Sequence, residues 1–164
     1  MYSEQQVLDF LESLHIPYTL QTHPPVHTME DCFVLQNIPE NTQMPKNIFL
    51  CNRQETTFYL FITEPQTPFK TAIVSKLLNV SRLSFAKEEH LERLLHVTSG
   101  AVNPLSLLFD ETSSIQFVMD SALLSYEYLA FHPLVNTATV IMKTSDFIDV
   151  FLKEISHELI EIQL

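Results

Sequence analysis

The sequence predicts an α+β fold, a single domain over residues 1–164 in which helices flank a mixed, largely antiparallel sheet. Three observations predict it. Segments of helical and of strand periodicity interleave irregularly along the chain. Several neighbouring strand candidates are joined by too few residues to hold a crossover helix, so those joins are hairpins. No linker, repeat or low-complexity stretch divides the 164 residues, and one core is enough for a chain of this length.

The elements follow in order. Val7, Phe10, Leu11 and Leu14 recur at helical spacing, and Ser3 with Gln6 forms a capping box, which predicts a helix over 3–14. Pro17 ends it, and Tyr18-Thr19-Leu20 suits a short strand. His23-Pro24-Pro25-Val26-His27 is a stiff extended segment, because a residue before proline is pushed out of the helical region. Thr28 caps a second helix to about Asn37, with Glu30 and Asp31 in its first turn. Ile48–Cys51 and Thr57–Ile62 are rich in aromatic and branched residues and predict a hairpin closed by Asn52–Glu55.

A helix over 69–79 presents Ile73, Val74, Leu77 and Leu78 to one side. Leu83-Ser84-Phe85 predicts a short strand, and Lys87–His96 a helix with Leu91, Leu94 and Leu95 inward. Beyond a loop at Gly100, strands are expected at 105–109, 115–119, 126–131 and 136–142. Ser145 is the expected cap of a last helix carrying Phe147, Val150, Phe151 and Ile155, and a strand over 158–163 closes the chain.

Composition excludes several function classes. No apolar run reaches the ~20 residues of a membrane-spanning helix, and Met1–Gln6 lacks the basic and apolar regions of a secretion signal. Cys32 and Cys51 then read as reduced thiols in a cytoplasmic protein. The seven histidines show neither HExxH nor zinc-finger spacing, and Pro24 and Pro25 prevent His23 and His27 from sharing a helix face, so no metal is expected. There is no G-x-S-x-G elbow for a serine nucleophile. The single glycine, Gly100, excludes a P-loop and a Rossmann fingerprint and is the residue expected to carry any positive backbone φ. A net charge of -11 with nine Lys and Arg predicts weak bulk affinity for nucleic acid, although a local patch can still guide one RNA end into a cleft.

Chemistry is concentrated in three polar insertions into apolar surroundings. They are Pro45-Lys46-Asn47-Ile48-Phe49-Leu50, Gly100-Ala101-Val102-Asn103-Pro104 and Phe131-His132-Pro133-Leu134-Val135-Asn136-Thr137-Ala138-Thr139-Val140. Polar groups buried without partners are costly, so such insertions ask for a purpose. Each also has a plain reading: Lys46-Asn47 as a solvated turn, Gly100 as a helix C-cap, and His132 as a core histidine with a satisfied ring.

Together with His23-Pro24-Pro25-Val26-His27-Thr28-Met29-Glu30, and in the same order and spacing, the three segments resemble the signature pieces of the YbaK-like aminoacyl-tRNA editing domains, on the branch of the free-standing prolyl-tRNA editing proteins. The resemblance spans nearly the whole chain and implies a partly barrel-like sheet. It also implies a metal-free, cofactor-free hydrolase that deacylates mischarged tRNA(Pro), with alanine as the removed residue. Lys46, Asn47, Gly100 and His132 would then be the catalytic set. Val26, Thr28, Ala101, Pro104 and Asn136 would bind substrate. The implied partners are the tRNA(Pro) acceptor end carrying a small amino acid, and prolyl-tRNA synthetase or an elongation factor; no membrane or DNA is expected. The alternatives are a cysteinyl-tRNA(Pro) deacylase of the YbaK branch and a non-catalytic tRNA-binding or interaction module.

Overall fold

The computed structural model describes residues 2–25 and 37–164. Residues 28–36 of the helix expected over 28–37, together with Val26, lie outside the described residues, Thr28 and Cys32 among them.

Helix α1 (Glu4–Ser13) forms as its pattern predicts. The Ser3 hydroxyl accepts from the Gln6 amide, the Gln6 side chain accepts from the Ser3 amide, and Val7, Leu8 and Leu11 are buried. Two mixed sheets follow. The first has the order β1 (Tyr18–Thr22), β8 (Ala138–Lys143), β7 (Tyr128–Phe131), β2 (Thr42–Gln43). The second has the order β5 (Ser84–Phe85), β3 (Lys46–Cys51), β4 (Phe58–Thr63), β6 (Ile115–Asp120), β9 (Leu159–Ile162). Among the described strands four pairings are antiparallel and three parallel. The expected α+β class stands, with its strands divided between two sheets.

The continuous apolar runs of β3 and β4 have a physical reason. Phe49, Cys51, Phe58, Leu60 and Ile62 point into a large core that also receives Leu129, Phe131, Val140 and Met142 from the first sheet. Their neighbours Ile48, Leu50, Tyr59 and Phe61 point the other way, into a smaller core with Val74 of helix α2 (Thr71–Leu77). Strands covered on both faces have no polar alternation to show. Helix α3 (Glu88–Leu95) closes one side of the large core through Leu91 and Leu95.

Three local expectations are corrected. Residues Pro104–Phe109 form a 3-10 helix, where a strand was expected over 105–109. Pro104 opens it without needing its missing N–H, and the Asn103 side chain caps it at Leu105. The last helix starts at Thr144, whose hydroxyl donates to the Tyr126 carbonyl at 2.6 Å, so Ser145 is no cap. It runs through α4 (Thr144–Asp146), a π-helical stretch (Phe147–Phe151) and α5 (Leu152–Glu154); the wider turn buries both Phe147 and Phe151. Gly100 does not supply positive φ either. Helix α3 ends on His96 at φ 58°, and all nine positive-φ residues among those described are non-glycine.

Candidate active site

The loop after β7 is tied down by one buried amide. At Leu134 the backbone turns with φ 67°, and its N–H donates to the His132 carbonyl at 3.0 Å across Pro133. The same carbonyl accepts a short hydrogen bond from Asn103 Nδ2. Asn103, 1% exposed, also donates to Ala101 O at 2.8 Å and accepts from Leu105 N at 2.9 Å. Every polar atom of that side chain is thus used, and the Gly100–Pro104 loop is fastened to the His132 loop. Within it Ala101 and Pro104 are buried, while Gly100 is exposed.

The half-buried ring of His132 has a defined protonation pattern. Nδ1 lies 2.9 Å from the Ala138 carbonyl, which can only accept, so Nδ1 carries the hydrogen and Nε2 the lone pair. Thr139 Oγ1 lies 3.5 Å from the same Nδ1 and 2.8 Å from His23 Nε2. The His23 and His132 rings sit 6.0 Å apart, centroid to centroid. Burial pulls the His132 pKa below 6.5; the bond to Ala138 opposes this and the nearby His23 adds to it. The neutral imidazole is therefore the resting form at neutral pH. His23 itself is placed by its backbone, whose N–H donates to Thr137 O at 2.9 Å and so extends the β1–β8 pairing beyond Thr22 and Ala138.

Lys46 and Asn47 open β3 on the second sheet, opposite Thr63 and Ile62. Lys46 Nζ donates to the Thr67 carbonyl at 2.7 Å, and Asn47 Nδ2 makes a long 3.4 Å contact with Pro45 O. Asn47 Oδ1 is buried with no hydrogen-bond partner among the described residues. A buried acceptor that lacks a donor is unfavourable, and a donor that reaches it relieves the cost. The structure thus joins the second and third polar segments through Asn103, and sets the first on the facing sheet across the shared core. Asn136 is half-buried in the turn before β8. Among the described residues no group of three or more His, Cys, Asp or Glu is arranged to hold a metal ion.

The profile described as the aminoacyl-tRNA editing domain matches residues 23–150, from His23 into the last helix. This chain belongs to the aminoacyl-tRNA editing domain family. Its relatives include the prolyl-tRNA editing protein ProX of Acetoanaerobium sticklandii, 33% identical over 89% of this chain and 88% of the relative. The prolyl-tRNA synthetase associated domain-containing protein 1 of Xenopus laevis is 31% identical over 94% of this chain and 92% of its own. A crystal structure of a candidate trans-editing enzyme for prolyl-tRNA synthetase superposes over 100% of this chain and 99% of that one, with TM-score 0.70 at 14% identity, a likeness of fold.

Within this editing domain the residues that build the site include three the sequence reading passed over. Asn103 and Thr139 stand out in the sequence only as members of their segments, and His23 only as part of a stiff segment and as a rejected metal ligand. The one local signal was an asparagine directly before proline, a pairing that favours a cap.

Proposed function

We propose that this protein is a trans-acting deacylase that hydrolyses the ester of mischarged tRNA(Pro), with alanine as the residue removed. The observation that carries the reading is the neutral His132, its Nε2 lone pair without a partner among the described residues and its backbone locked to the Gly100–Pro104 loop. An aminoacyl ester is already activated, so hydrolysis requires a held water and a stabilised oxyanion, with neither metal nor covalent nucleophile. In this reading His132 Nε2 accepts from the attacking water or the substrate amine and helps orient it. The Gly100 backbone N–H is the donor offered to the developing oxyanion, since the Ala101 N–H is already donated to Thr98 O at 3.0 Å. Lys46 meets the terminal nucleotide as a point charge, and Asn47 Oδ1 gains its missing donor from the terminal ribose or the amine. Pro104 and Asn136 are assigned to the wall of the acyl pocket, the role that the family resemblance also implies for Val26 and Thr28.

Selectivity follows from size. A synthetic site shaped for proline rejects the smaller alanine by only ~1–3 kcal/mol, whereas a second, smaller pocket excludes proline by steric clash. The names of the relatives support tRNA(Pro) as substrate and prolyl-tRNA synthetase as the partner enzyme; the proposed place of work is the cytoplasm.

The test is clearance of alanyl-, cysteinyl- and prolyl-tRNA(Pro) by the pure protein in the presence of EDTA. The expected result is rapid loss of the alanyl ester alone, slowed about 100-fold by Lys46→Ala, the order of one lost stabilising group in an acyl-transfer site. Preferential loss of the cysteinyl ester moves the protein to the YbaK branch. Tight tRNA binding with no ester cleared makes it a binding module and refutes the proposal.

A further inference from the structure

The hydrogen bonds beside His132 form a chain that runs in one direction. His23 Nδ1 lies 2.9 Å from the Pro24 carbonyl, an acceptor only, so Nδ1 holds the ring hydrogen. In the neutral ring Nε2 is then a lone pair, and the Thr139 hydroxyl 2.8 Å away must donate to it. That fixes the hydroxyl rotor. The Thr139 proton points at His23, and the oxygen turns its lone pairs towards His132 Nδ1 at 3.5 Å.

The fully buried Thr139 therefore faces a choice that His23 makes for it. Without an acceptor at His23 Nε2, the hydroxyl would rotate and offer its proton to His132 Nδ1. Donation there stabilises the tautomer with hydrogen on Nε2, which costs the Ala138 bond and leaves no lone pair facing the loop that Asn103 holds in place. We infer that His23 is a positioning residue: by occupying the Thr139 hydroxyl it keeps His132 in the tautomer with Nδ1–H on Ala138 and Nε2 open. The contact is long-range in sequence, 116 residues, and the extra backbone bond from His23 to Thr137 O holds the ring at the required place.

The ring nitrogens report this without reference to activity; only the turnover arm of the test rests on the deacylase reading. In nitrogen-resolved NMR of the full-length protein, His132 is expected to show a single tautomer with hydrogen on Nδ1. His23→Ala is expected to raise the Nε2–H tautomer to a visible fraction, and to lower kcat about two- to fivefold at unchanged KM, the population shift one hydrogen bond produces. Thr139→Val removes the competing donor, so it leaves the His132 tautomer intact. In the His23→Ala, Thr139→Val double variant the wild-type tautomer returns. A merely structural role gives additive losses in the double variant instead. An unchanged His132 pattern in His23→Ala, or a double variant worse than either single one, overturns the inference. Tautomer changes as expected, in a protein that clears no ester, leave this inference standing and remove the deacylase reading.

Discussion

Removing the Asn103 side chain tests how the site is held. Asn103→Ala deletes the bonds to Ala101 O and His132 O and the cap on Leu105 N. The His132 carbonyl keeps Leu134 N as a donor, but Ala101 O and Leu105 N lose the Asn103 bonds in residues 5% and 0% exposed. Each buried group left unsatisfied costs about 1–3 kcal/mol, so the expected loss is about 2–5 kcal/mol. For a chain of this size 1 kcal/mol lowers Tm by about 2–4 °C, which gives a fall of roughly 5–15 °C. Urea unfolding followed by circular dichroism measures the energy, and hydrogen exchange locates it, with the Leu105 amide losing protection first. Asn103→Asp separates the roles, since it keeps the acceptor for Leu105 but sets an oxygen against two carbonyls; it is expected to destabilise at neutral pH despite the retained cap. A loss below about 1 kcal/mol in Asn103→Ala, within the range of one ordinary hydrogen bond, would show that the two loops are held by packing and refute the reasoning.

Three further outcomes are expected. Gly100→Ala leaves stability within about 1 kcal/mol in thermal melts, because the residue has no positive φ and an added Cβ meets nothing within 4 Å; an unchanged fold with lost turnover would then assign Gly100 to close substrate approach. Asp110 is buried, which raises its pKa, but the bonds it accepts from His157, Ile115 and Ser114 outweigh burial and hold it below 3.8. Its folded value is depressed, so the contribution is present above pH 3.8 and is lost as pH falls through the folded value. Asp110→Ala is expected to cost about 3–5 kcal/mol at neutral pH, with the gap to wild type closing in acid titrations. Phe147, fully buried against Phe117, Phe131 and Phe151, is expected to cost about 3–5 kcal/mol on truncation to alanine in urea melts.

What the sequence made legible was local. Helix α1 carries its own start signal in Ser3 and Gln6, and the β3–β4 hairpin its own pattern and turn, so neither needed tertiary context. Leu105–Phe109 was illegible by composition, because the same apolar residues suit a strand; the Asn103-Pro104 pair ahead of them decided for the 3-10 turn. Gly100 misled for a related reason. Glycine permits positive φ but does not compel it, and Asn37, Asn41, Asn79 and His96 took the left-handed positions. At the candidate site, Lys46, Asn47 and His132 were proposed through their motifs, while the contacts around His132 were hidden in distant pairings: Asn103 reaches His132 across 29 residues and His23 reaches Thr139 across 116. Periodicity reports neighbours within a turn or a pleat and is silent on contacts of that kind.

The charge of the chain bears on how an editing enzyme of this design would discriminate. With a net charge of -11 and nine basic residues, the protein gains little from the phosphate backbone of a tRNA. Affinity for the stem is shared by correctly and incorrectly charged tRNA, so it tightens binding of both and separates neither. Discrimination requires that the free energy of recognition be concentrated where the two substrates differ, at the acyl group. On the proposed function, a site made of one neutral imidazole, one amide oxygen without a partner among the described residues and a fastened loop, on an otherwise acidic protein, places recognition at the ester and leaves correct prolyl-tRNA free to dissociate.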